Sequence, residues 1–439
     1  MINRTLIKEE KVKVRDQHLA SYIIRGGNRL SGDVNISGSK NAALGIISAA
    51  MLLDGACKIE NVPDVADINV MVEICKHLGA KIKRDSEGSL YIDPCSISTW
   101  EATHDKVRSI RGSYYLLGAL LGRFKKSTIY MPGGCNFGTR PIDQHMKGFE
   151  ALGAHVNIEY GKIHVEAEKL KGEHVFLDVV SVGATVNIMI AAAKAEGVTV
   201  IENAAREPHI VDVANFLNTM GANIRGAGTD VIRVSGVPVL EADCSYSIIP
   251  DQIEAGTYML AAALTRGQIT VHGVIPRHME PLTAKLEEMG ALVEVGDESI
   301  CVSVENGKQL QAASYKTMPY PGFPTDLQPQ TTVLLCTANG SSRMTESVWD
   351  NRFQYIDDLK TMGADILISG KLAIIEGGHK LTGAHVTARD LRAGAALVLA
   401  GLYAEGMTEV DDISKIERGY ENFISKMRSL GADITRIEN

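Results

Sequence analysis

The sequence contains no apolar run long enough to cross a membrane. Its longest run, Ala42 to Leu53, has about twelve residues, whereas a membrane-spanning helix needs about 20. The first residues, MINRTLIKEEKVKVRDQ, are charged and lack the apolar stretch of a secretion signal. We therefore expect a cytoplasmic protein that does not insert into membranes.

Cysteine pairs and basic patches are also missing. None of the seven cysteines forms a C-x-x-C motif, and no histidine pair has the spacing of metal ligands on a helix. We therefore expect neither disulfides nor a metal site. The formal net charge is −8 and no basic run is interleaved with aromatics, which argues against a nucleic-acid partner. Phosphate-binding motifs of the P-loop and Rossmann types are absent as well.

One phrase recurs six times: Leu or Met, then Gly-Ala, any residue, and Ile or Val. The copies are about 70 residues apart, whereas the repeats of a solenoid usually have about 20–45 residues. Each glycine is expected to end a helix in the left-handed conformation. The six glycines are Gly79, Gly153, Gly221, Gly290, Gly363 and Gly431.

The same local pattern surrounds each copy of the phrase. A helix of small apolar residues comes first, then a strand, an amphipathic helix and an alternating hairpin. Three such units make a domain of ordinary size, so six units predict two α/β domains. Because the first helix of each unit is apolar on all sides, we expect these helices inside and the sheets outside them.

A glycine-rich stretch between two prolines, PGGCNFGTRPID (132–143), predicts a surface loop that can act as a lid. Cys135 lies at its tip. Most cysteines are small buried hydrophobes, but we interpret Cys135 as an exposed reactive thiol. Arg140 in the same loop would lower its pKa.

Six basic residues occur in loops or at predicted helix starts. Any one of them alone would be read as a solvated surface charge. As a group at repeated junctions they indicate an anion site, because helix N-termini and guanidinium groups both bind carboxylate and phosphate. They are Lys40, Arg111, Arg140, Arg352, Arg392 and Arg418.

Two aspartates stand at the predicted starts of apolar helices. Asp326 follows a proline in FPTDLQ, and Asp390 lies in ARDLR. Each is either a simple N-cap or a general base, and the sequence leaves both readings open.

Nine motifs, in order along the chain, resemble the UDP-N-acetylglucosamine 1-carboxyvinyltransferase family of enolpyruvyl transferases. The resemblance runs from about Tyr22 to the C-terminus. The motifs are SGSKNAAL, PGGCNFGTRPID, SVGAT, IENAAREP, PDQIEAGT, FPTDLQ, DNRF, ARDLRAGAALVLAG and IERGYE. The resemblance implies a two-domain inside-out α/β barrel with six βαβαββ units, three in each domain. It implies one domain at residues 40–250, with the lid loop 132–143, and another at 1–39 plus 251–439. Residues 1–21 would be a charged extension.

The reaction implied by this resemblance is enolpyruvyl transfer from phosphoenolpyruvate to the 3′-hydroxyl of UDP-N-acetylglucosamine, with release of phosphate. This is the first committed step of peptidoglycan synthesis in the bacterial cell wall. The resemblance implies no cofactor, no metal, no nucleic acid and no obligate protein partner.

The resemblance also assigns residues to roles. Cys135 matches the general acid of the lid, which can form an adduct with phosphoenolpyruvate and be alkylated by fosfomycin, and Asp326 matches the base near the 3′-hydroxyl. Cations of the phosphate site match Lys40, Arg140 and Arg418, while Arg352 and Arg392 match residues near the carboxylate. The implied catalytic set is Cys135, Asp326, Lys40 and Arg418. The implied sugar-nucleotide contacts are Asn41, Arg111, Arg140, Pro141, Ile142, Asp143, Gln144, Ser181, Val182, Gly183, Asp326 and Val348.

Three alternatives remain on the sequence alone. They are 3-phosphoshikimate 1-carboxyvinyltransferase, a paralogue that uses another nucleotide acceptor, and a catalytically silent binding protein on the same scaffold. The lid cysteine and the RPID segment favour the sugar nucleotide. Five positions depart from well-known members of the family and bear on affinity and closure: Tyr115, Val179, His209, Gln252 and Trp349.

Overall fold

The computed structural model describes residues 20–131, 133, 142–241 and 244–438. The strands of these residues, in chain order, are β1 (Ser21–Arg25), β2 (Ser31–Asn35), β3 (Cys57–Glu60), β4 (Lys81–Arg84), β5 (Leu90–Asp93), β6 (Glu101–Ala102), β7 (Lys126–Tyr130), β8 (His155–Glu159), β9 (Lys162–Glu166), β10 (His174–Phe176), β11 (Val198–Glu202), β12 (Asn223–Arg225), β13 (Val231–Ser235), β14 (Ser245–Ser247), β15 (Gln268–His272), β16 (Leu292–Val295), β17 (Ser299–Ser303), β18 (Ser314–Lys316), β19 (Ser341–Thr345), β20 (Asp365–Ser369), β21 (Leu372–Glu376), β22 (His385–Thr387), β23 (Met407–Asp411) and β24 (Asp433–Ile437).

The helices of the described residues are α1 (Lys40–Ala50), α2 (Ala66–His77), α3 (Tyr115–Phe124), α4 (Asp143–Ala151), α5 (Val182–Ala192), α6 (Pro208–Thr219), α7 (Gln252–Leu264), α8 (Pro276–Glu288), α9 (Gln328–Thr337), α10 (Ile356–Thr361), α11 (Leu391–Tyr403), α12 (Ser414–Glu417) and α13 (Phe423–Ser429). Short 3₁₀ turns are formed by Asp105–Arg108, Arg111–Tyr114, Thr325–Leu327 and Phe353–Tyr355. In this part of the chain no helix combines the length and the apolar character that crossing a membrane requires.

The strands form six sheets of four strands, and all six have the same order of parallel and antiparallel pairs. Each sheet joins one parallel pair to two antiparallel pairings. In five sheets the last two strands form a hairpin, and in the sixth they are β1 and β24, which are distant in sequence. The orders are β14-β3-β5-β4, β6-β7-β9-β8, β10-β11-β13-β12, β2-β15-β17-β16, β18-β19-β21-β20 and β22-β23-β1-β24. The prediction of six repeated α/β units is confirmed.

The six repeat glycines end helices as predicted. Their φ angles lie between 88° and 107°, a left-handed range that suits glycine because it has no Cβ. The backbone there turns from the amphipathic helix into the next strand, which opens a hairpin in the first five units and is β24 in the sixth.

The first helix of each unit is buried, as predicted from its small apolar residues. Nearly all of α1, α5, α7 and α11 is inaccessible to solvent. Close packing also requires glycine, since a Cβ at Gly118 of α3 would overlap the carbonyl oxygen of Asn187 in α5. The helices therefore lie inside and the sheets outside, which is the inside-out arrangement expected.

Among the described residues, two hydrophobic clusters form the core. One is drawn from residues between Ala42 and Ile248, and the other from Tyr22 to Ile36 together with Ile253 to Ile434. The N-terminal strands belong to the second cluster because β2 pairs with β15 and β1 lies between β23 and β24. On this basis we propose the predicted division into residues 40–250 and residues 1–39 plus 251–439 as the domain structure.

The chain passes between the two clusters at two adjacent segments. The Ser39 amide donates to the carbonyl of Ile249 at 2.7 Å, and the Asp251 amide donates to the carbonyl of Ser37 at 2.9 Å. A Cβ at Gly38 would overlap the carbonyl oxygen of Asn61. The two segments are thus held together as a short antiparallel ribbon that accepts only glycine at position 38.

Buried Asp212 fixes one of these segments. Its carboxylate accepts hydrogen bonds from the Tyr246 hydroxyl at 2.6 Å and from the Ile249 amide at 3.2 Å. Burial raises the pKa of Asp212 to about 6, outweighing both hydrogen bonds. The folded protein therefore holds a proton on Asp212 more tightly than the unfolded chain does.

This shift predicts a pH dependence of stability. The stabilisation from neutral Asp212 is complete below about pH 4 and is lost as the pH rises through about 6. Between those limits the free energy of unfolding of Asp212→Asn should gain about 3 kcal/mol relative to the wild type. Urea denaturation of both proteins from pH 4 to pH 8 measures the difference, and a difference that stays constant with pH would contradict the assignment.

Candidate active site

Lys40 and Arg418 come together on one carboxylate. Lys40 Nζ lies 3.2 Å from Asp67 Oδ2, and Arg418 Nε lies 2.7 Å from Asp67 Oδ1. Lys40 begins α1 and Asp67 lies in the first turn of α2, whereas Arg418 follows α12. Lys40 and Arg418 lie on opposite sides of the proposed domain boundary, and Asp67 contacts both of these predicted site residues.

Two hydrogen bonds at the start of α1 hold the backbone of Lys40 in position. Ser39 caps the helix by accepting from the Ala42 amide, and the Lys40 amide donates to Asp251 Oδ2 at 3.1 Å. Asp251 also caps α7 by accepting from the amides of Ile253 and Glu254. The N-termini of α1 and α7 therefore meet at one aspartate beside Lys40, and Asn41 follows Lys40 in the same first turn of α1.

A second set of charges surrounds Asp326. Arg392 donates to Asp326 Oδ2 from both Nε and Nη2 at 3.2 Å, and Arg352 Nη2 lies 3.6 Å from Asp326 Oδ1. The Arg352 and Arg392 side chains are only 1% and 4% exposed, while that of Asp326 keeps 33%. Two buried guanidinium groups thus hold one partly accessible carboxylate.

The structure tests the N-cap alternative for each of the two aspartates. Asp326 lies in the 3₁₀ turn before α9 and caps neither element, so the N-cap reading is wrong for it. Asp390 does cap α11, because its carboxylate accepts from the amides of Arg392 and Ala393.

The charges around Asp326 control its acidity. Burial alone would raise the pKa of Asp326, but the positive charges of Arg392, Arg352 and Lys40 outweigh it and lower the pKa to about 2. Because Lys40 contributes to this shift, the set around Asp326 and the set around Asp67 form one electrostatic site.

Glu346 supports the segment that carries Asp326. This buried carboxylate accepts from the hydroxyls of Thr317 and Thr325 at 2.8 Å and 2.9 Å, and from the amides of Val348 and Trp349. It therefore ties Val348, a predicted sugar contact, to the residue next to Asp326.

The predicted nucleotide residues lie at the starts of α4 and α5. Gln144 of α4 accepts from the Asp178 amide at 2.8 Å and donates to its carboxylate at 3.1 Å. Ser181 caps α5 by accepting from the Ala184 amide. The N-termini of α4 and α5 are thereby held side by side, and helix N-termini favour anions. The predicted residues at these two N-termini are Ile142, Asp143, Val182 and Gly183.

Arg111 begins a 3₁₀ turn that leads into α3. Its guanidinium lies 5.0 Å from the centre of the Tyr114 ring, and burial lowers its pKa.

His209 is one of the positions that depart from well-known family members. It lies in the first turn of α6, where the charges of the site residues Asp251, Asp326 and Lys40 act on it. Burial lowers the pKa of His209 against the opposing charges of Glu207, Asp251 and Asp326.

Three predicted residues, Cys135, Arg140 and Pro141, lie outside the described residues. Their assignments stay predictions.

Residues that hold the site together were missed by the sequence analysis. Asp67 and Glu346 have no distinguishing motif, since an acidic residue in the first turn of a helix is common for dipole reasons and Glu346 follows an ordinary strand. Asp251 lies in the motif PDQIE but was not singled out.

His385, Glu409 and Asp411 have donor atoms within 4.8 Å of one another, close enough for a metal ion. However, His385 Nε2 and Asp411 Oδ2 are 2.6 Å apart and already form a hydrogen bond. Similar pairs, His174 with Glu202 and His272 with Asp33, join the parallel strands of two other sheets. A cross-strand pair explains this arrangement, and we assign no metal to it.

Comparison with known proteins identifies the family. A family model described as EPSP synthase (3-phosphoshikimate 1-carboxyvinyltransferase) matches residues 24–427. Among curated proteins, UDP-N-acetylglucosamine 1-carboxyvinyltransferase 3 of Caldanaerobacter subterraneus subsp. tengcongensis is 55% identical over 95% of this chain and 100% of its own length. The UDP-N-acetylglucosamine 1-carboxyvinyltransferase of Clostridium botulinum is 56% identical over 94% of this chain and 99% of its own. The chain belongs to the UDP-N-acetylglucosamine 1-carboxyvinyltransferase family.

Solved structures show the same fold. The enolpyruvyl transferase NikO from Streptomyces tendae matches with a TM-score of 0.88 and 26% identity, over 96% of this chain and 100% of that chain. EPSP synthase from Acinetobacter baumannii has a TM-score of 0.74 at 20% identity over 95% of this chain and 100% of its own, which shows the shared fold. As a member of the UDP-N-acetylglucosamine 1-carboxyvinyltransferase family, the protein is a transferase.

Proposed function

We propose that this protein transfers the enolpyruvyl group of phosphoenolpyruvate to the 3′-hydroxyl of UDP-N-acetylglucosamine, with release of phosphate. Relatives of that name with more than half of their residues identical over full length carry the proposal. The reaction would take place in the cytoplasm and begin peptidoglycan synthesis, as expected from the sequence.

The two charge sets suit the two ends of phosphoenolpyruvate. Lys40 and Arg418, with Arg140 of the lid, would bind the phosphate. Arg352 and Arg392 would bind the carboxylate, since paired N–H groups of a guanidinium match two carboxylate oxygens. Phosphoenolpyruvate would then lie across the domain boundary beside Asp326.

The reaction proceeds in two balanced steps. In the first step Asp326 takes the proton of the sugar 3′-hydroxyl, and the 3′-oxygen bonds to C2 of phosphoenolpyruvate. Cys135 gives a proton to C3, which becomes a methyl group. In the second step C3 gives a proton back to the Cys135 thiolate, the double bond re-forms, and the bond from C2 to the phosphate oxygen breaks. The departing phosphate takes the proton held by Asp326, so both side chains return to their starting states. The site's cations stabilise the charge that develops on phosphate.

Binding of the donor would also make Asp326 a better base. In the free protein Arg392 and Arg352 hold its pKa near 2, too low for an effective base at neutral pH. The carboxylate of phosphoenolpyruvate would share the same guanidinium groups, so their effect on Asp326 weakens and its pKa rises when the donor is in place.

The lid assignment yields a prediction of its own. Fosfomycin should alkylate Cys135 and inactivate the wild type, since a thiolate is the nucleophile. A Cys135→Ser protein should resist the drug and lose activity by at least about tenfold. Full activity with unchanged drug sensitivity, measured by phosphate release and intact-protein mass, would remove both roles.

Product identification tests the function. The purified protein, given phosphoenolpyruvate and UDP-N-acetylglucosamine, should form one phosphate and one enolpyruvyl ether of the sugar nucleotide per turnover, seen by mass spectrometry. Binding of the sugar nucleotide with no new product would instead indicate a silent binding protein.

A further inference from the structure

Tyr420 is a buried residue that lies between both sets of cations. It follows Arg418 by two positions, and its ring centre lies 5.3 Å from the guanidinium carbon of Arg392. Its side chain is almost fully buried. A cation over an aromatic face is attracted to it, most strongly where water is excluded, so the ring supports one face of Arg392.

The hydroxyl of Tyr420 is fixed by two buried helices. It shares a hydrogen bond of 2.9 Å with Thr257 of α7 and accepts one of 3.1 Å from Gln330 of α9. Gln330 also reaches the Thr257 hydroxyl at 3.3 Å, and that hydroxyl donates to the Ile253 carbonyl at 2.8 Å. Buried polar groups of this kind are costly unless bonded, so the network holds the ring in one position.

The chain beside Tyr420 has little freedom to shift. A Cβ at Gly419 would lie 2.5 Å from Leu391 Cδ2 and 3.3 Å from Lys40 Cδ. Residues 418–420 therefore pack between the start of α11, which carries Arg392, and the start of α1, which carries Lys40. Tyr420 and Arg418 thus belong to one tightly packed segment.

We propose that Tyr420 is a positioning residue that holds Arg392 through its ring, and Arg418 through the backbone, at the spacing of the two anionic ends of the donor. The identity of the donor, phosphoenolpyruvate, rests on the proposed function. Tyr420 itself touches no reacting atom in this account and acts only through the two arginines.

Steady-state kinetics of three variants and one control test whether Tyr420 affects the binding of phosphoenolpyruvate. Tyr420→Leu, which removes ring and hydroxyl, should raise KM for phosphoenolpyruvate about tenfold with kcat within about threefold of wild type. Tyr420→Phe keeps the ring and Thr257→Val keeps the ring but loosens it, so each should raise that KM about threefold. KM for UDP-N-acetylglucosamine should stay within about twofold in all three.

Tyr315→Leu is the matched control. Tyr315 is equally buried in the same cluster, and its hydroxyl lies 3.3 Å from Met289 Sδ. If this variant raises KM for phosphoenolpyruvate as much as Tyr420→Leu does, the effect is general loss of packing and the proposal is overturned. Should Tyr420→Leu not fold, Tyr420→Phe and Thr257→Val decide by the same comparison.

Crystal structures of the variants test the positioning independently of turnover. In Tyr420→Leu, or in Thr257→Val if the first does not fold, the Arg392 guanidinium should leave the place where both of its nitrogens contact Asp326. In Tyr315→Leu it should remain there. An unmoved Arg392 in both overturns the proposal. A displaced Arg392 in a protein whose wild type makes no product would uphold the positioning and reject the proposed function.

Discussion

Replacing Asp326 by asparagine is expected to lower kcat for phosphate release about a thousandfold, within the range for loss of a general base. The amide keeps the size of the carboxylate and an oxygen for Arg392, but it cannot take the proton of the 3′-hydroxyl. Steady-state phosphate release measures kcat, and calorimetry measures whether the sugar nucleotide still binds.

Asp212→Asn is the matched control for this experiment. It makes the same substitution at a buried aspartate whose partners are Tyr246 and Ile249 rather than the site arginines. Its kcat should stay within about threefold of wild type. An Asp326→Asn protein that keeps more than about a tenth of wild-type kcat would show that Asp326 is not the base.

Arg392→Met should have the second largest effect. It removes both hydrogen bonds to Asp326 Oδ2 and one guanidinium of the proposed carboxylate site. We expect kcat/KM for phosphoenolpyruvate to fall at least about a hundredfold, since charge-assisted bidentate contacts are strong. The free energy of unfolding should fall by about 2 kcal/mol, less than for a fully buried pair because Asp326 is partly exposed.

A nearby exposed ion pair provides the comparison. Arg389 Nε lies 2.9 Å from Asp358 Oδ2, and the Arg389 side chain is 46% exposed. Arg389→Met should cost less than about 1 kcal/mol of stability and leave the kinetics within about twofold. Equal losses in the two variants, by urea denaturation and initial rates, would mean that Arg392 has no special role.

The six units could be predicted from the sequence because each one contains short-range sequence patterns typical of its elements. The apolar helix, the glycine in the left-handed region and the alternating hairpin are set by residues a few positions apart, and all six glycines adopt the expected φ. The pairing of β1 with β23 and β24 has no such signal, since its partners lie at the other end of the chain. The family resemblance implied only that residues 1–39 belong with residues 251–439, without naming these strand partners.

The candidate site, too, could be predicted only in part from the sequence. Basic residues at helix starts could be listed from sequence, but which carboxylate each one meets depends on packing between distant units. Asp67 is an ordinary residue of a first helical turn until the fold brings Arg418 to it. The role of Asp326 was ambiguous for the same reason, because its two arginines come from α11 and from the segment before α10.

Phosphate release from phosphoenolpyruvate with two acceptors in parallel is the most direct test of the proposed function. With UDP-N-acetylglucosamine, we expect stoichiometric release that requires Asp326. With shikimate 3-phosphate, we expect none. Release with shikimate 3-phosphate alone, or with neither acceptor from a folded protein, would contradict the proposed function.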